Sequence, residues 1–143
     1  VNTSSLFGLL SLPTQGTYNS SKFAVRGFTE ALRQELDLEK CGVSATCVHP
    51  GGIRTNIARD AKMDNSISAK TGANPETAKA KFDKLLNTTT AESAARQILR
   101  AVEGNQRRVL VGPDAKFLDK VVRFFGSWYQ PMTTFFAKKT MLG

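Results

Sequence analysis

Cysteine is scarce in this sequence, and long hydrophobic runs are missing. Two cysteines, Cys41 and Cys47, are too few for a disulfide framework, and they lack the spacing of about two to four residues that zinc thiolates use. No stretch of about 18 apolar residues is present to span a bilayer. We therefore expect a reducing, cytoplasmic setting. The hydrophobic content of 41% and the charged content of 22% exclude a disordered or low-complexity chain of this length.

Acidic residues are also in the minority, but the excess of positive charge is unevenly placed. The 143 residues carry a formal net charge of +8, and residues 73–143 hold twelve Lys and Arg against six Asp and Glu. No arginine-rich tract or nucleic-acid motif accompanies this charge. We therefore expect no nucleic-acid partner.

The periodicity of apolar residues predicts strands alternating with helices. The predicted elements are a strand end over 1–5, a helix over 18–39, a strand over 43–49, a helix over 90–103, a strand over 108–111 and a helix over 115–125 followed by an aromatic tail. Strand, helix and strand with short links imply right-handed crossovers in a parallel sheet, which predicts an α/β fold. Residues 54–89 lack a steady period, and we expect a long excursion with a helix near 75–86 that closes as a lid.

The helices are predicted to be amphipathic. In the first, apolar residues recur at helical spacing, opposite charges lie four apart on a polar stripe, and the pair Cys41-Gly42 predicts a glycine C-cap. The apolar residues are Phe23, Ala24, Phe28, Ala31, Leu32 and Leu36, and the stripe is Arg26, Glu30, Arg33 and Asp37. The apolar face predicted for the second helix, which has Thr89 or Thr90 as its N-cap, is Ala94, Ala95, Ile98, Leu99 and Val102.

The strongest chemical signal is the pair Tyr18 and Lys22, thirteen and seventeen residues after Ser5. Side chains four apart share a helix face, so the lysine ammonium can lie near the phenol oxygen. A phenol with a reference pKa of about 10 becomes a usable acid and base when a cation favours its phenolate. The pair taken alone is also consistent with a solvated lysine beside a half-buried tyrosine. A hydroxyl from Ser5 could polarise a substrate oxygen at the same point.

The order of three motifs favours a catalytic role for Tyr18 and Lys22 over a solvated lysine beside a half-buried tyrosine. The chain reads Asn2-Thr3-Ser4-Ser5-Leu6-Phe7-Gly8, then Tyr18-Asn19-Ser20-Ser21-Lys22, then His49-Pro50-Gly51-Gly52-Ile53-Arg54-Thr55. This arrangement resembles the short-chain dehydrogenase/reductase family over residues 1–112. The resemblance implies a doubly wound Rossmann sheet that binds NAD or NADP. Ligands of such sheets bind beyond the carboxyl ends of the strands, which is where the serine and proline segments emerge.

The resemblance implies a role for each catalytic position. Tyr18 is the acid and base, Lys22 lowers the pKa of Tyr18 and holds the nicotinamide ribose, and Ser5 orients the substrate. The choice of Ser5 over Ser4 rests on its spacing to the tyrosine and on the glycine three residues later, Gly8.

A second set of positions is implied to bind the cofactor. Pro50 and Gly51 resemble the turn that lines the nicotinamide, with the main chain at Ile53 and the Thr55 hydroxyl near its carboxamide. His49 and Cys47 lie in the preceding strand, and we expect both to be buried structural residues.

The glycine-rich dinucleotide turn of the family is missing from this sequence. The family places that turn, and the residues that distinguish NAD from NADP, before the serine strand. The chain also opens on Val1 with no methionine and no basic leader. We therefore expect residues 1–143 to be the carboxyl-terminal half of one NAD(P)-binding domain, inactive and weak in dinucleotide binding when alone.

The resemblance predicts an oxidoreductase that interconverts an alcohol and a carbonyl compound. A non-redox epimerase or dehydratase and a non-catalytic binding protein on the same fold are the alternatives. The wide apolar stripe with Phe23, Phe28 and Leu32 predicts a homo-oligomer, with core packing as the alternative.

The carboxyl-terminal segment combines aromatic and basic residues. Seven of the twelve aromatic residues fall within 117–136. The predicted apolar helix face is Phe117, Leu118, Val121, Val122, Phe124 and Phe125, opposite Lys116, Lys120 and Arg123. Such a segment fits peripheral membrane contact, and it equally fits a cover over the substrate cleft or a subunit contact. Its apolar character hints at a hydrophobic substrate.

Overall fold

A computed structural model of the chain describes residues 1–56 and 88–141. The elements are β1 (Asn2–Thr3), a 3-10 helix (Leu6–Gly8), α1 (Gly16–Glu39), β2 (Cys47–Pro50), β3 (Ile53–Arg54), β4 (Thr89–Thr90), α2 (Ala91–Glu103), β5 (Arg108–Val111), α3 (Pro113–Phe125), a second 3-10 helix (Gly126–Trp128) and α4 (Tyr129–Met141). The predicted lid and the helix near 75–86 lie outside the described residues, apart from the two ends of the excursion.

The main sheet has three parallel strands in the order β1-β2-β5. Asn2 pairs with Cys47, and Cys47 pairs on its other side with Arg108. The two ends of the excursion form a second parallel pair, β3 with β4, in which Ile53 lies opposite Thr89. The parallel sheet with intervening helices confirms the predicted α/β fold.

Helices pack on both faces of the sheet. In β5, Val109 and Val111 point into a buried cluster with Ala94 and Ala101 of α2. Leu110, between those valines, packs against a second cluster that contains Ala115 of α3. Because alternate side chains of a strand point to opposite faces, α2 and α3 cover opposite faces of the sheet. This two-sided cover is the arrangement of a doubly wound sheet.

The packed face of α1 is polar, contrary to the amphipathic pattern read from the sequence. Thr29 and Arg33 are buried, whereas Phe28 remains 65% exposed. Thr29 accepts a hydrogen bond from Asn2 Nδ2 (3.1 Å), and Arg33 donates to the backbone oxygen of Ala45 (3.2 Å). Polar groups of β1 and of the segment before β2 therefore select the inner face of the helix. The predicted ion pairs Arg26–Glu30 and Arg33–Asp37 do form.

The apolar face predicted for α2 is also partly wrong, and the face predicted for α3 is only partly packed against the described residues. In α2, Ala94 and Ala101 are buried, while Ala95, Leu99 and Val102 are exposed. In α3 the inward residues are Ala115, Leu118, Asp119 and Val122, and the exposed ones include Phe117, Phe124 and Phe125. The sheet offers a narrow contact to each helix, and small residues let the helices approach it closely.

Two of the predicted boundaries described here shift, and the predicted N-cap of α2 is confirmed at one of its two candidates. The strand expected over 43–49 begins only at Cys47, because β1 and β5 start beside that residue and leave the preceding residues without a strand to pair with. The left-handed residue that ends α1 is Lys40 (φ 52°), two positions before Gly42 of the predicted glycine cap. Thr90 caps α2, with its side chain accepting from Ser93 N. The aromatic tail forms α4.

Within residues 1–56 and 88–141, no helix is long and apolar enough to cross a bilayer.

Candidate active site

Two loops leave the carboxyl ends of neighbouring strands at the same edge of the sheet. Ser4 and Ser5 follow β1, and Gly51 and Gly52 follow β2. The strands are parallel neighbours, so both loops emerge together. His49 links them, because its ring nitrogen Nδ1 lies 2.9 Å from the backbone oxygen of Ser5. This edge is therefore a single region where both predicted sets of site residues meet.

The two adjacent serines have different surroundings. Ser4 is buried, and its hydroxyl donates to the backbone oxygen of Lys22 (2.7 Å). Ser5 is half-buried, and its Oγ accepts a hydrogen bond from the backbone N–H of Phe7 (3.1 Å), which caps the 3-10 helix. A hydroxyl that accepts one bond can still donate its own hydrogen. The geometry thus gives Ser4 a structural bond and leaves Ser5 suited to a substrate oxygen.

Gly8 allows the 3-10 helix to approach α1. A Cβ at Gly8 would lie 2.2 Å from Ser4 Oγ and 2.8 Å from the backbone oxygen of Lys22. Both distances are shorter than Cβ atoms tolerate, and the second contact is with backbone, which cannot rotate away. The glycine three residues after Ser5 therefore brings the Ser5 loop against the turn of α1 that carries Lys22.

Tyr18 and Lys22 lie together on the first turns of α1. The Lys22 Nζ atom is 5.5 Å from the centre of the Tyr18 ring and 3.4 Å from the backbone oxygen of Thr3, to which it donates. The Tyr18 ring is 42% exposed and meets the edge of the Phe7 ring at a centroid separation of 5.9 Å. Because the backbone N–H of Phe7 also donates to Ser5 Oγ, one residue contacts both the serine and the tyrosine. The predicted serine, tyrosine and lysine thus share one patch.

His49 is a buried structural residue, in agreement with the expectation from the sequence. Its side chain is fully buried, and burial lowers its pKa below the ordinary value of 6.5. The neutral ring therefore carries its proton on Nδ1, which donates to the Ser5 oxygen. Cys47, also fully buried, has its thiol pKa raised by burial, as expected for an unreactive side chain.

The turn after β2 is held by hydrogen bonds from distant parts of the chain. Gly51 N donates to the backbone oxygen of Val111 (2.9 Å). Gly52 N donates to Asp114 Oδ2 (2.5 Å), and the Gly52 oxygen accepts from Thr89 N (3.0 Å) and Thr88 Oγ1 (2.7 Å). Every backbone polar group named here is bonded to a segment at least 36 residues away in sequence.

Sequence reasoning missed Asp114, Thr88 and Thr89. The sequence does show that Asp114 follows Gly112-Pro113 at the start of a helix, where an acidic side chain suits the helix dipole. That signal predicts the helix start and says nothing about Gly52. The contact exists only because β2 and β5 lie side by side.

The remaining predicted cofactor residues have distinct positions. Pro50 ends β2 and pairs with Val111. Ile53 begins β3, and its side chain packs against the cluster under α2, so only its main chain can face the edge. Thr55 is exposed, just beyond β3.

The arrangement fits a nicotinamide cofactor on one side and a substrate oxygen on the other. The turn carries no side chain at Gly51 or Gly52, so none of its own side chains stands between its main chain and a flat ring. Tyr18 and Lys22 stand across the same edge with a phenol and an ammonium, the groups needed to bind hydroxyls and move a proton.

Comparison with known proteins agrees with this fold. The family model described as short chain dehydrogenase matches residues 1–66. SadH of Mycobacterium tuberculosis (strain CDC 1551 / Oshkosh), an oxidoreductase by name, is 48% identical over 130 residues, which cover 91% of this chain and 45% of the relative. YxnA of Bacillus subtilis (strain 168), also named as an oxidoreductase, is 32% identical over 141 residues, covering 99% and 35%.

A solved structure shows the same fold. The crystal structure of a short chain dehydrogenase/reductase from Burkholderia phymatum in complex with NAD matches with a TM-score of 0.68 at 22% identity, covering 89% of this chain and 47% of that one. The chain spans about half the length of the curated relatives it matches.

The parallel sheet, its two-sided helix cover and the groups at its carboxyl edge define an α/β protein of the doubly wound class. Within that class, the family-model match, the oxidoreductase relatives and the solved structure support a member of the short-chain dehydrogenase/reductase family.

Proposed function

We propose that this chain carries the catalytic groups of an NAD(P)-dependent oxidoreductase that interconverts an alcohol and a carbonyl compound. The observation that carries the proposal is the shared patch of Ser5, Tyr18 and Lys22 beside the turn after β2. The names of SadH and YxnA as oxidoreductases support the reaction class. The NAD in the Burkholderia phymatum structure supports a nicotinamide cofactor.

In the proposed reaction each side chain has one task. The nicotinamide, when bound, supplies or accepts the hydride. In the reducing direction Ser5 donates a hydrogen bond to the carbonyl oxygen, and Tyr18 gives its hydroxyl proton to that oxygen as it becomes an alcohol. The Lys22 ammonium, 5.5 Å from the ring centre, stabilises the phenolate that remains. In the oxidising direction the same proton returns to Tyr18.

The residues proposed to hold the cofactor surround the same edge. Tyr18 and Lys22 would contact the ribose hydroxyls. Pro50, Gly51 and the main chain at Ile53 would line the nicotinamide, and the Thr55 hydroxyl would meet its carboxamide. Either NAD or NADP fits these contacts, because none of them reaches the adenosine ribose phosphate that distinguishes the two.

The chain is proposed to be the carboxyl-terminal half of a single NAD(P)-binding domain. Its match to 45% of SadH and 35% of YxnA supports this, as does the missing glycine-rich turn. We expect the 143 residues alone to bind NADH and NADPH weakly, and titration followed by coenzyme fluorescence tests this. Affinity equal to that of the complete protein would contradict the proposal.

Nicotinamide absorbance at turnover tests the reaction class. The complete protein is mixed with NAD, NADP or their reduced forms and a panel of alcohols and ketones that includes hydrophobic members. Oxidation or reduction of the coenzyme in step with substrate is expected. Conversion of substrate with no net change in coenzyme would favour an epimerase or dehydratase, and binding without turnover would favour a non-catalytic protein.

The outer face of α1 is proposed to pack against a second copy of the chain. Phe23 and Phe28 are both exposed there, 39% and 65%, next to exposed Ala24 and Ala31. Exposed apolar side chains on the outer surface of a helix are typical of a subunit contact. Light scattering of the complete protein should show an oligomer that Phe28→Glu weakens, and a monomer at micromolar concentration would refute this.

The α3–α4 segment is proposed to contact a membrane surface peripherally. Phe117, Phe124 and Trp128 are exposed along one side of α3 and its continuation, and Lys116 and Lys120 lie on the adjacent face. Exposed aromatic residues beside basic ones suit an anionic lipid surface. Flotation with anionic vesicles should recover the protein, and Phe117→Ser with Phe124→Ser should reduce recovery. Equal recovery of both would indicate a cleft cover or subunit contact instead.

A further inference from the structure

The turn after β2 lies against an acidic side chain from the opposite end of the sequence. Asp114, at the second position of α3, accepts a hydrogen bond from Gly52 N with Oδ2 at 2.5 Å. Its other oxygen, Oδ1, is buried and has no hydrogen-bond partner among the described residues. A charged acceptor makes this bond stronger than a neutral one of the same geometry.

The absence of a side chain at Gly51 is explained by the same carboxylate. A Cβ on Gly51 would lie 2.3 Å from Asp114 Oδ2 and 2.4 Å from both Cγ and Oδ1. Gly51 does not have a positive φ, so its backbone conformation alone does not demand glycine. The space that glycine leaves is the space that the carboxylate fills.

Gly112 makes room for the carboxylate from the other side. Its φ of 98° lies in the region that favours glycine, and it forms the N-cap of α3. A Cβ there would lie 2.6 Å from Asp114 Oδ1 and 2.8 Å from Thr89 Oγ1. The carboxylate therefore sits between two glycines and is fixed in position by the start of α3.

Both backbone polar groups of Gly52, its N–H and its carbonyl oxygen, are thus held by hydrogen bonds. Asp114 accepts a hydrogen bond from the N–H of Gly52. Thr88 and Thr89, which follow the long excursion, donate hydrogen bonds to the carbonyl oxygen of Gly52. The N–H of Gly52 belongs to the Gly51-Gly52 peptide and its carbonyl belongs to the Gly52-Ile53 peptide, so two successive peptide groups are each held by a hydrogen bond from outside the loop. Neither peptide can rotate without breaking its bond.

We propose that Asp114 is a positioning residue for the coenzyme. It holds the Gly51-Gly52 turn in the orientation in which that turn meets the nicotinamide, and Gly51 is glycine because Asp114 needs its space. The inference rests on the proposed function, since the turn is assigned to the nicotinamide there. Asp114 acts through the turn and touches neither substrate nor coenzyme.

Coenzyme affinity and thermal unfolding of the complete protein together test this role. Asp114→Ala should raise the Kd for NADH or NADPH about tenfold or more, because the turn loses a charge-assisted hydrogen bond. Asp114→Asn keeps an acceptor oxygen of the same size and should restore most of the affinity. An unchanged Kd in Asp114→Ala, or an equal loss in both variants, would overturn the proposal.

Asp119→Asn is the matched control on the same helix. Asp119 is buried and pairs with Arg123 (2.8 Å) and Arg108 (3.5 Å), with no hydrogen bond to the turn among the described residues. We expect Asp119→Asn to lower the unfolding temperature while the coenzyme Kd changes less than about twofold. A rise in its Kd equal to that of Asp114→Ala would mean that loss of stability alone weakens binding, which contradicts a positioning role.

A double-mutant cycle tests the shared space independently of the coenzyme. Gly51→Ala should lower the unfolding temperature in the wild type and have much less effect in Asp114→Ala, because the clashing carboxylate is gone. An equal effect in both backgrounds would show that Gly51 is glycine for another reason. If wild type binds neither NADH nor NADPH, the proposed function fails, and this cycle still decides whether Asp114 and Gly51 compete for space.

Discussion

The loops after β1 and β2 both depend on a glycine that makes room for a polar group, but different parts of the chain hold them. On the first loop, Gly8 leaves space for Ser4 Oγ and the Lys22 carbonyl. On the second, Gly51 leaves space for the carboxylate of Asp114. The Ser4–Lys22 bond spans 18 residues, whereas the bond from Gly52 to Asp114 spans 62.

This difference separates a local site from an assembled one. The loop after β1 and the start of α1 are close in sequence, so their contacts form whenever the strand and helix dock. The turn after β2 has its orientation only once β5 and α3 are in place beside it. The proposed catalytic side chains thus belong to the local part, and the proposed coenzyme turn belongs to the assembled part.

Tyr18→Phe should have the largest effect, and it acts on the local part alone. Activity should fall by about a hundred- to ten-thousandfold, the range typical of a lost general acid and base. Stability should change little, because Tyr18 is 42% exposed and its ring contact with Phe7 survives in phenylalanine. Steady-state kinetics and thermal unfolding of the complete protein measure both.

Tyr129→Phe is the matched control for that variant. The Tyr129 hydroxyl accepts a hydrogen bond from Ser11 N (3.0 Å), so its loss should cost about 1 kcal/mol of unfolding free energy. Activity should remain. Wild-type activity in Tyr18→Phe would refute the assignment of the acid and base.

The two serines should separate activity from stability. Ser5→Ala should lower kcat about a hundredfold, because a hydroxyl aimed at the reacting oxygen is lost. Ser4→Ala should keep most activity, since the Ser4 hydroxyl donates to Lys22 within the fold. Each variant loses one hydrogen bond and should lose about 1 kcal/mol of unfolding free energy. A greater loss of activity in Ser4→Ala would reverse the assignment.

Gly8→Ala should break the close approach in the local part. The added Cβ meets the Lys22 carbonyl at 2.8 Å, so the 3-10 helix must shift, at a cost of about 1–3 kcal/mol in unfolding free energy. Gly16→Ala, at the first residue of α1, is the control, because nothing lies within 4 Å of its added Cβ. Chemical denaturation should find the two variants different, and equal stabilities would contradict the packing described for Gly8.

His49, which joins the two loops, should give the smallest effect, a pH dependence of stability. Burial lowers its pKa below 6.5, so the unfolded chain binds the proton more readily than the folded one. The contribution of neutral His49 to the free energy of unfolding should therefore be complete above pH 6.5 and should decrease as the pH drops below that value. Denaturation between pH 5 and 8 of wild type and His49→Asn measures it. If the free energy of unfolding changes equally with pH in both proteins, groups other than His49 cause the pH dependence.

The proximity of the proposed catalytic residues could be predicted because their spacing is local. Tyr18 and Lys22 share a face on any α-helix, and Ser5 precedes them by a single short loop. The order of strands and helices was predictable for the same reason, since hydrophobic period and turn residues act over a few positions. Strand β5 matches its prediction at both ends.

The inner faces of the helices were not predictable from period alone. The rule that apolar residues face inward gives the wrong face for α1, because Asn2 and the Ala45 carbonyl present polar groups to it. Which side of a helix is buried depends on what lies opposite, and that is set by the sheet. Phe28 and Phe124 are both mostly exposed, and the described residues provide no cover for either side chain.

The sequence by itself determined the α/β class, the order of elements and the serine, tyrosine and lysine set, because each of these follows from the chemistry of residues close together in the chain. Only the tertiary structure decided which face of α1 is buried and which residues hold the turn after β2. The physical reason is that a parallel sheet brings β2 beside β5, so that the first residues of α3 reach a turn some sixty positions earlier. No local preference of Gly51 or Asp114 encodes that meeting.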